Sequence, residues 1–237
     1  MHDFSQELGA ALWLILSGDP ALWEIVLLSL RVSLMAVLIA AAIGMPLGAA
    51  LGVARFPGRR AVVILVNALM GLPPVVVGLL VYLALSRSGP LGVLQLLYTP
   101  TAMIIAQVVL VTPIITALTR QTIETLDGEY AEQLRSLGVS RLASVPTLLW
   151  DARLALLTAL LAGFGRAIAE VGAVIMVGGN INHVTRVMTT TIALETSKGN
   201  LALALALGTI LIAIAVGVTA AVSLLAPRER VAEMRHA

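Results

Sequence analysis

Along this chain about five apolar stretches alternate with short polar ones. They cover roughly 23–54, 61–85, 99–118, 154–177 and 201–225, and ~20 consecutive apolar residues are enough for a helix to cross the hydrocarbon core of a bilayer. Ahead of them, Phe4, Leu8, Ala11, Leu12 and Ile15 recur on one helical face while Asp3, Gln6 and Glu7 fall elsewhere, the pattern of a helix lying along the outer membrane surface. Asp19 before Pro20 gives the first span a cap and a pre-set first position. The start MHDFSQELGA lacks a basic n-region, so the first span is expected to serve as the export signal.

Inside the spans the exceptions carry the information. Gly44, Gly48 and Gly52 recur every fourth residue, a small-residue stripe that lets another helix approach closely. Arg31 lies near enough to a span end to snorkel. Gly71-Leu72-Pro73-Pro74 falls near the middle of the second span. Two prolines there remove backbone donors, so the helix unwinds or kinks; Pro73 and Pro74 are either pathway elements or a structural kink. In the fourth span Arg166 and Glu170 are four residues apart on one face, about 20 Å from Arg153 at ~1.5 Å per residue. An unpaired arginine at that depth costs at least ~2.5 kcal/mol, so the two should pair. The pair either fixes helix packing or acts as a gate.

The longest polar interruption is Glu129–Ala152, EYAEQLRSLGVSRLASVPTLLWDA. Tyr130, Leu134 and Leu137 share a face opposite Glu129, Glu132, Arg135 and Ser136, which predicts a short amphipathic helix. Gly138 ends it, and Ser140 can cap a second short helix. A second polar stretch, 177–200, is punctuated by Met188, Ile192 and Leu194 and reads as a re-entrant or surface helix. Its Thr185, Thr189, Thr190 and Thr191 either offer hydroxyls to a pathway or cap and pack that helix.

Composition narrows the class. The chain is 59% hydrophobic and 12% charged, with mean hydropathy +1.00, against roughly 25% charged for a soluble domain. The fold class is therefore an all-α integral membrane protein, a single transmembrane domain over 1–237. Cysteine is absent and the three histidines stand far apart, so neither a disulfide nor a metal site is expected, and no cofactor is. A net charge of +2 with arginines at span ends speaks for topology, not for a nucleic-acid partner. Lys and Arg number ten in 55–60, 119–153 and 227–237 and three in 1–22, 86–98 and 178–200. The positive-inside rule thus expects the N-terminus outside, the C-terminus inside and Glu129–Ala152 in the cytoplasm.

The order Glu132, Gly138, Leu148 resembles the cytoplasmic loop of bacterial ABC-importer permeases, whose helix docks into a groove on an ATPase subunit. Gln133-Leu134 and Trp150-Asp151 depart from that family's usual residues. The resemblance extends over about Leu69–Asn180, through LPPVVVGL, Gly89 to Gly92, Gln107, Gly138, Arg166, Glu170 and Gly172, and there it is to oxyanion importers for molybdate and sulfate. GGNINHVTRVMTTTIALETSKG is similar to tungstate-importer permeases. What this implies is a permease for an oxyanion, tungstate foremost, with molybdate or sulfate as the alternative. It also implies a cytoplasmic ATPase dimer, an extracytoplasmic oxyanion-binding protein, and coupling through Glu129, Glu132, Leu134, Leu137, Gly138 and Arg141. Only one lysine, Lys198, is present and no phosphate-binding loop, so the chain is not expected to hydrolyse ATP itself. Five helices enclose little space, so a second copy is expected beside it. A secondary transporter would show an internal repeat, and a membrane-embedded enzyme would need convergent catalytic groups; neither feature is visible.

Overall fold

The computed structural model describes residues 4–225, so the three tail arginines counted above lie outside the described residues. The described residues form helices: α1 Phe4–Leu16, α2 Pro20–Val53, α3 Arg59–Met70, α4 Pro74–Leu85, α5 Pro100–Ser136, α6 Val145–Asp151, α7 Arg153–Ile168, α8 Gly172–Gly178, α9 Met188–Lys198 and α10 Leu201–Leu225, with a short 3₁₀ turn at Gly92–Leu94. α2, α5 and α10 are long and apolar enough to cross a bilayer singly. Two bent pairs, α3 with α4 and α6 with α7, raise the number of spans to as many as five. The architecture is that of an integral membrane bundle.

Asp19 Oδ1 accepts the Leu22 N–H at 2.9 Å and starts α2 with Pro20 in its first turn. α2 and α5 form the central pair because the glycine stripe fits where it meets α5. A Cβ on Gly44 would lie 3.1 Å from Thr112 O, and one on Gly52 would lie 2.9 Å from Ile123 Cγ2. Ala11 of α1 is buried against the start of α2, Met188 and the α10 residues Ala206 and Leu207, whereas Trp13 and Leu16 stay exposed. α1 therefore lies against the bundle by one narrow face and offers the other to lipid.

Three departures from the expected layout matter for the site. α5 does not stop at residue 118; it runs for 37 residues from Pro100 to Ser136, so the amphipathic helix over 129–137 is the end of α5 and not a separate element. The fourth span is not one helix over 154–177, because α7 and α8 are separated at Ala169–Val171. Ahead of α7, α6 turns by 76°. The second helix of the polar loop begins at Val145, after a turn over residues 141–144.

Candidate functional site

The second span breaks where its prolines stand. Gly71 and Leu72 donate to Ala68 O and Leu69 O at 3.1 and 3.3 Å, while Val76 N–H and Val77 N–H both turn back to Pro73 O. Pro73 and Pro74, which have no N–H to leave unpaired, occupy the corner between α3 and α4, and the two axes meet at 98°. α4 then lies on α8 with glycines at the contact. A Cβ on Gly78 would stand 2.7 Å from Ala173 Cα, and one on Gly172 would stand 2.7 Å from Val75 Cγ2. The break in the second span and that in the fourth are thus neighbours.

The break in the fourth span contains no proline, and side chains take up several of its freed backbone groups. Ala167 O accepts the Glu170 N–H at 3.1 Å and Gln107 Nε2 of α5 at 3.0 Å. Glu170 O accepts the Thr189 hydroxyl of α9 at 2.8 Å. The Glu170 carboxylate serves both sides of the gap: Oε1 accepts the Ala173 N–H of α8 at 3.1 Å, and Oε2 accepts Arg166 Nη1 of α7 at 2.6 Å. The Glu170 side chain is 4% exposed and that of Arg166 38%, so the carboxylate is enclosed and its counter-ion half open. In hydrocarbon a broken helix is tolerated only when its freed groups are re-bonded in this way.

Ser29, Ser33, Gln107, Glu170 and Thr189 surround a cavity of about 10 Å³, and Gln107 Oε1 is buried without a donor. In the sequence Gln107 stands out only through the family resemblance. A glutamine amid a long apolar helix, where every unpaired polar group is costly, was the available signal.

The threonines are committed within the chain. Thr185 donates to Gly178 O at 2.5 Å and accepts the Ile181 N–H, Thr191 donates to Val187 O at 2.7 Å, and Thr190 lies 2.9 Å from Asn180 Oδ1 and 3.1 Å from Val187 O. All four are buried. They fix the 178–187 loop, where Asn180 and His183 take left-handed φ of 51° and 57°, against α9. At the far end of α9 the buried Glu195 carboxylate accepts Lys198 Nζ at 2.9 Å and Asn200 Nδ2 at 3.0 Å. The Lys198 hydrogen bond, foremost, holds its pKa below the usual carboxylate value, against the opposing pull of burial. Because the folded-state value is the lower one, this contribution is full above the unfolded value of ~4.3 and is lost as pH falls through the folded value. Melting temperatures taken from about pH 6 to about pH 3 should therefore fall less steeply for Glu195→Gln than for the unaltered protein.

At the opposite end of α5, Gly138 takes φ +72°, with Leu137 N–H on Gln133 O and Val139 N–H on Leu134 O at 3.2 and 3.0 Å. This is a glycine stop that satisfies the last carbonyls of α5. Tyr130 and Leu134 pack inward on Ala49, Val53, Ile123 and Leu148. Glu129, Glu132, Leu137 and Gly138 face outward, Leu137 being 76% exposed, and Leu142 is exposed beside them. Arg141 is half-buried, with Nη1 enclosed and without an acceptor. One turn before this surface, Glu124 bonds both Arg120 of α5 and Arg59 at the start of α3, and Arg59 Nε also holds Leu51 O at 2.9 Å. The structure brings Arg166, Glu170 and Thr189 together, near Pro73 and Pro74 through the α4–α8 contact. The Glu129–Arg141 group forms a distinct surface.

Residues 44–231 match the family of binding-protein-dependent transport system inner membrane components. Among relatives, the chain is 41% identical to a tungstate uptake system permease protein, TupB, of Peptoclostridium acidaminophilum, over 87% of this chain and 90% of that one. It is 41% identical to a probable anion ABC transporter permease protein of Haloferax volcanii, over 83% and 87%. To the TupB of Campylobacter jejuni it is 38% identical, over 83% and 82%. With its several membrane-crossing helices and that match over most of its length, the chain belongs to the inner membrane components of binding-protein-dependent transport systems.

Proposed function

We propose that this chain is the permease subunit of an ATP-driven importer that carries tungstate into the cytoplasm. It works as a symmetric pair above two copies of a cytoplasmic ATPase and receives its cargo from an extracytoplasmic binding protein. The relatives' names support the substrate, and the observation that carries the mechanism is the continuity of α5. The exposed surface around Leu137 and Gly138 lies at the end of the same helix that holds Gln107 against the break in the fourth span. An ATPase that pushes on Glu129, Glu132, Leu137, Gly138 and Arg141, with Leu134 packed beneath them, moves a continuous helical rod that carries Pro113 between its two ends, not a loop. The other end of that rod bears on α7 and α8, and through α8 on α4.

In this reading the N-terminus is outside and the polar loop and C-terminus inside, the orientation that the positive-inside rule favours for this distribution of arginine. Alternating access arises because the two bent spans change their angles against α5. Pro73, Pro74, Arg166, Glu170, Thr185, Thr189 and Thr190 belong to the gate, the threonines by holding α9 and its preceding loop on the break.

The test is coupling. In membranes containing the whole transporter, Gly138→Pro, which cannot adopt the left-handed φ of that corner, and Glu132→Lys are each expected to reduce binding-protein-stimulated ATP hydrolysis and tungstate uptake together, by tenfold or more on the order of one lost interface anchor. Unchanged stimulation and uptake in both variants would refute the role of this loop. Uptake of tungstate measured against excess molybdate and sulfate ranks the three anions.

A further inference from the structure

An open groove of about 670 Å³ runs between α2 and the α6–α7 corner, and no described part of the chain fills it. Its walls are Ala41, Ala42, Met45 and Pro46 of α2 and leucines of α6 and α7, among them Leu154 and Leu157. Pro46 withdraws the N–H that would bond the Ala42 carbonyl, and the two alanines leave the floor low. At one end stands Arg153. Its Nη1 donates to Trp150 O at 2.9 Å, and its guanidinium lies 5.2 Å from the centre of the Trp150 ring. Among the described residues no carboxylate pairs with Arg153, so most of its five N–H donors remain to be used. Trp150 is 70% exposed and sits on α6, which crosses α7 at 76°. A tryptophan and an arginine at the corner of a span mark the level of the lipid headgroups.

We propose that this groove binds an anionic phospholipid, with the phosphate on Arg153 and one acyl chain along α2 and α7. Depth and charge choose this occupant over a helix of a second copy. From Arg153 to Leu160, the far lining residue on α7, the groove extends about 10 Å at ~1.5 Å per residue. That is about two-thirds of one leaflet of a ~30 Å hydrocarbon core. A packed helix would need an apolar track through both leaflets, whereas an acyl chain ends within one. The cation at the headgroup end, unmatched by a carboxylate, is complementary to a phosphate whose charge no headgroup cation offsets. The site adjoins the loop assigned to the ATPase but does not depend on that assignment.

The full-length protein with Trp13→Phe and Trp23→Phe retains Trp150 alone as a fluorophore, beside the proposed phosphate position. Reconstituted in phosphatidylcholine bilayers, its fluorescence is titrated with brominated phosphatidylglycerol or brominated phosphatidylcholine. The expected result is a relative affinity about fivefold higher for phosphatidylglycerol, the scale of one basic side chain near a charged headgroup. Arg153→Gln should abolish that preference while leaving quenching by phosphatidylcholine, which shows a folded, lipid-exposed corner. Ala42→Leu, which raises the groove floor, should weaken quenching by phosphatidylglycerol with Arg153 intact. Equal quenching by the two lipids before any change at Arg153 would overturn the site. So would quenching by neither, since protein would then cover the groove.

Discussion

Replacement of Glu170 by alanine is expected to cost about 3 kcal/mol of stability and to abolish transport. The change removes three things at once: the acceptor for the Ala173 N–H at the start of α8, the counter-ion of Arg166, and a side chain that bridges the gap between α7 and α8. Breaking a buried ion pair from one side costs ~3–5 kcal/mol, and the lower end applies because Arg166 is half open. Thermal unfolding in detergent measures the loss. The double variant Arg166→Ala/Glu170→Ala should recover part of it, since no charge is then left unpaired, although the Ala173 N–H still lacks its partner. If the double variant regained transport as well as stability, the pair would be a packing device alone. Recovery of stability without transport would place it in the gate.

Gly48→Leu is expected to prevent accumulation of folded protein, and Gly48→Ala to cost ~1–3 kcal/mol. A single Cβ at Gly48 would already run into the Thr116 carbonyl, lie 2.8 Å from Thr119 Cβ and lie 3.1 Å from Arg120 N. The first and last of these are backbone atoms of α5, which no rotamer change can move. The two longest helices would have to separate over the contact that buries Ala40, Ala49, Ile115 and Ile123. The control is on α10, where Gly208 and Gly217 have no atom within 4 Å of a built Cβ. Alanine there should be neutral or stabilise by up to ~1 kcal/mol through helix propensity. Yield and melting temperature of the three alanine variants side by side check the argument. Equal behaviour of Gly48→Ala and Gly208→Ala would mean that α2 and α5 do not meet as described.

Much of this fold was legible because the signals are local. Hydropathy placed the apolar stretches, and Asp19-Pro20 marked the start of α2. Pro73 and Pro74 marked the corner of the second span, because a missing N–H acts on the residues beside it whatever surrounds them. Gly138 marked the end of α5 for the same reason, a backbone conformation that an L side chain rarely adopts. The four-residue glycine spacing foretold a close helix contact, and Arg166 and Glu170 foretold their own pairing, since both patterns repeat at the pitch of a helix.

What only the tertiary structure decided is where polar groups find distant partners. FGRAIAEVGA has no proline and reads as continuous helix, yet the helix breaks at Ala169–Val171. Gln107, 60 residues away from Ala167, and Thr189, 19 residues away from Glu170, take the exposed carbonyls. The same holds for α5, whose polar end reads as a loop helix but continues the same helix because Tyr130 and Leu134 meet Val53 and Leu148. It holds also for Glu124, 65 residues from the Arg59 that it bonds. A break, an extension or a clamp of this kind depends on a free-energy balance between segments far apart in sequence. In a bilayer, where an unbonded carbonyl has no water to turn to, that balance is set by the bundle as a whole and not by the residues on either side of the break.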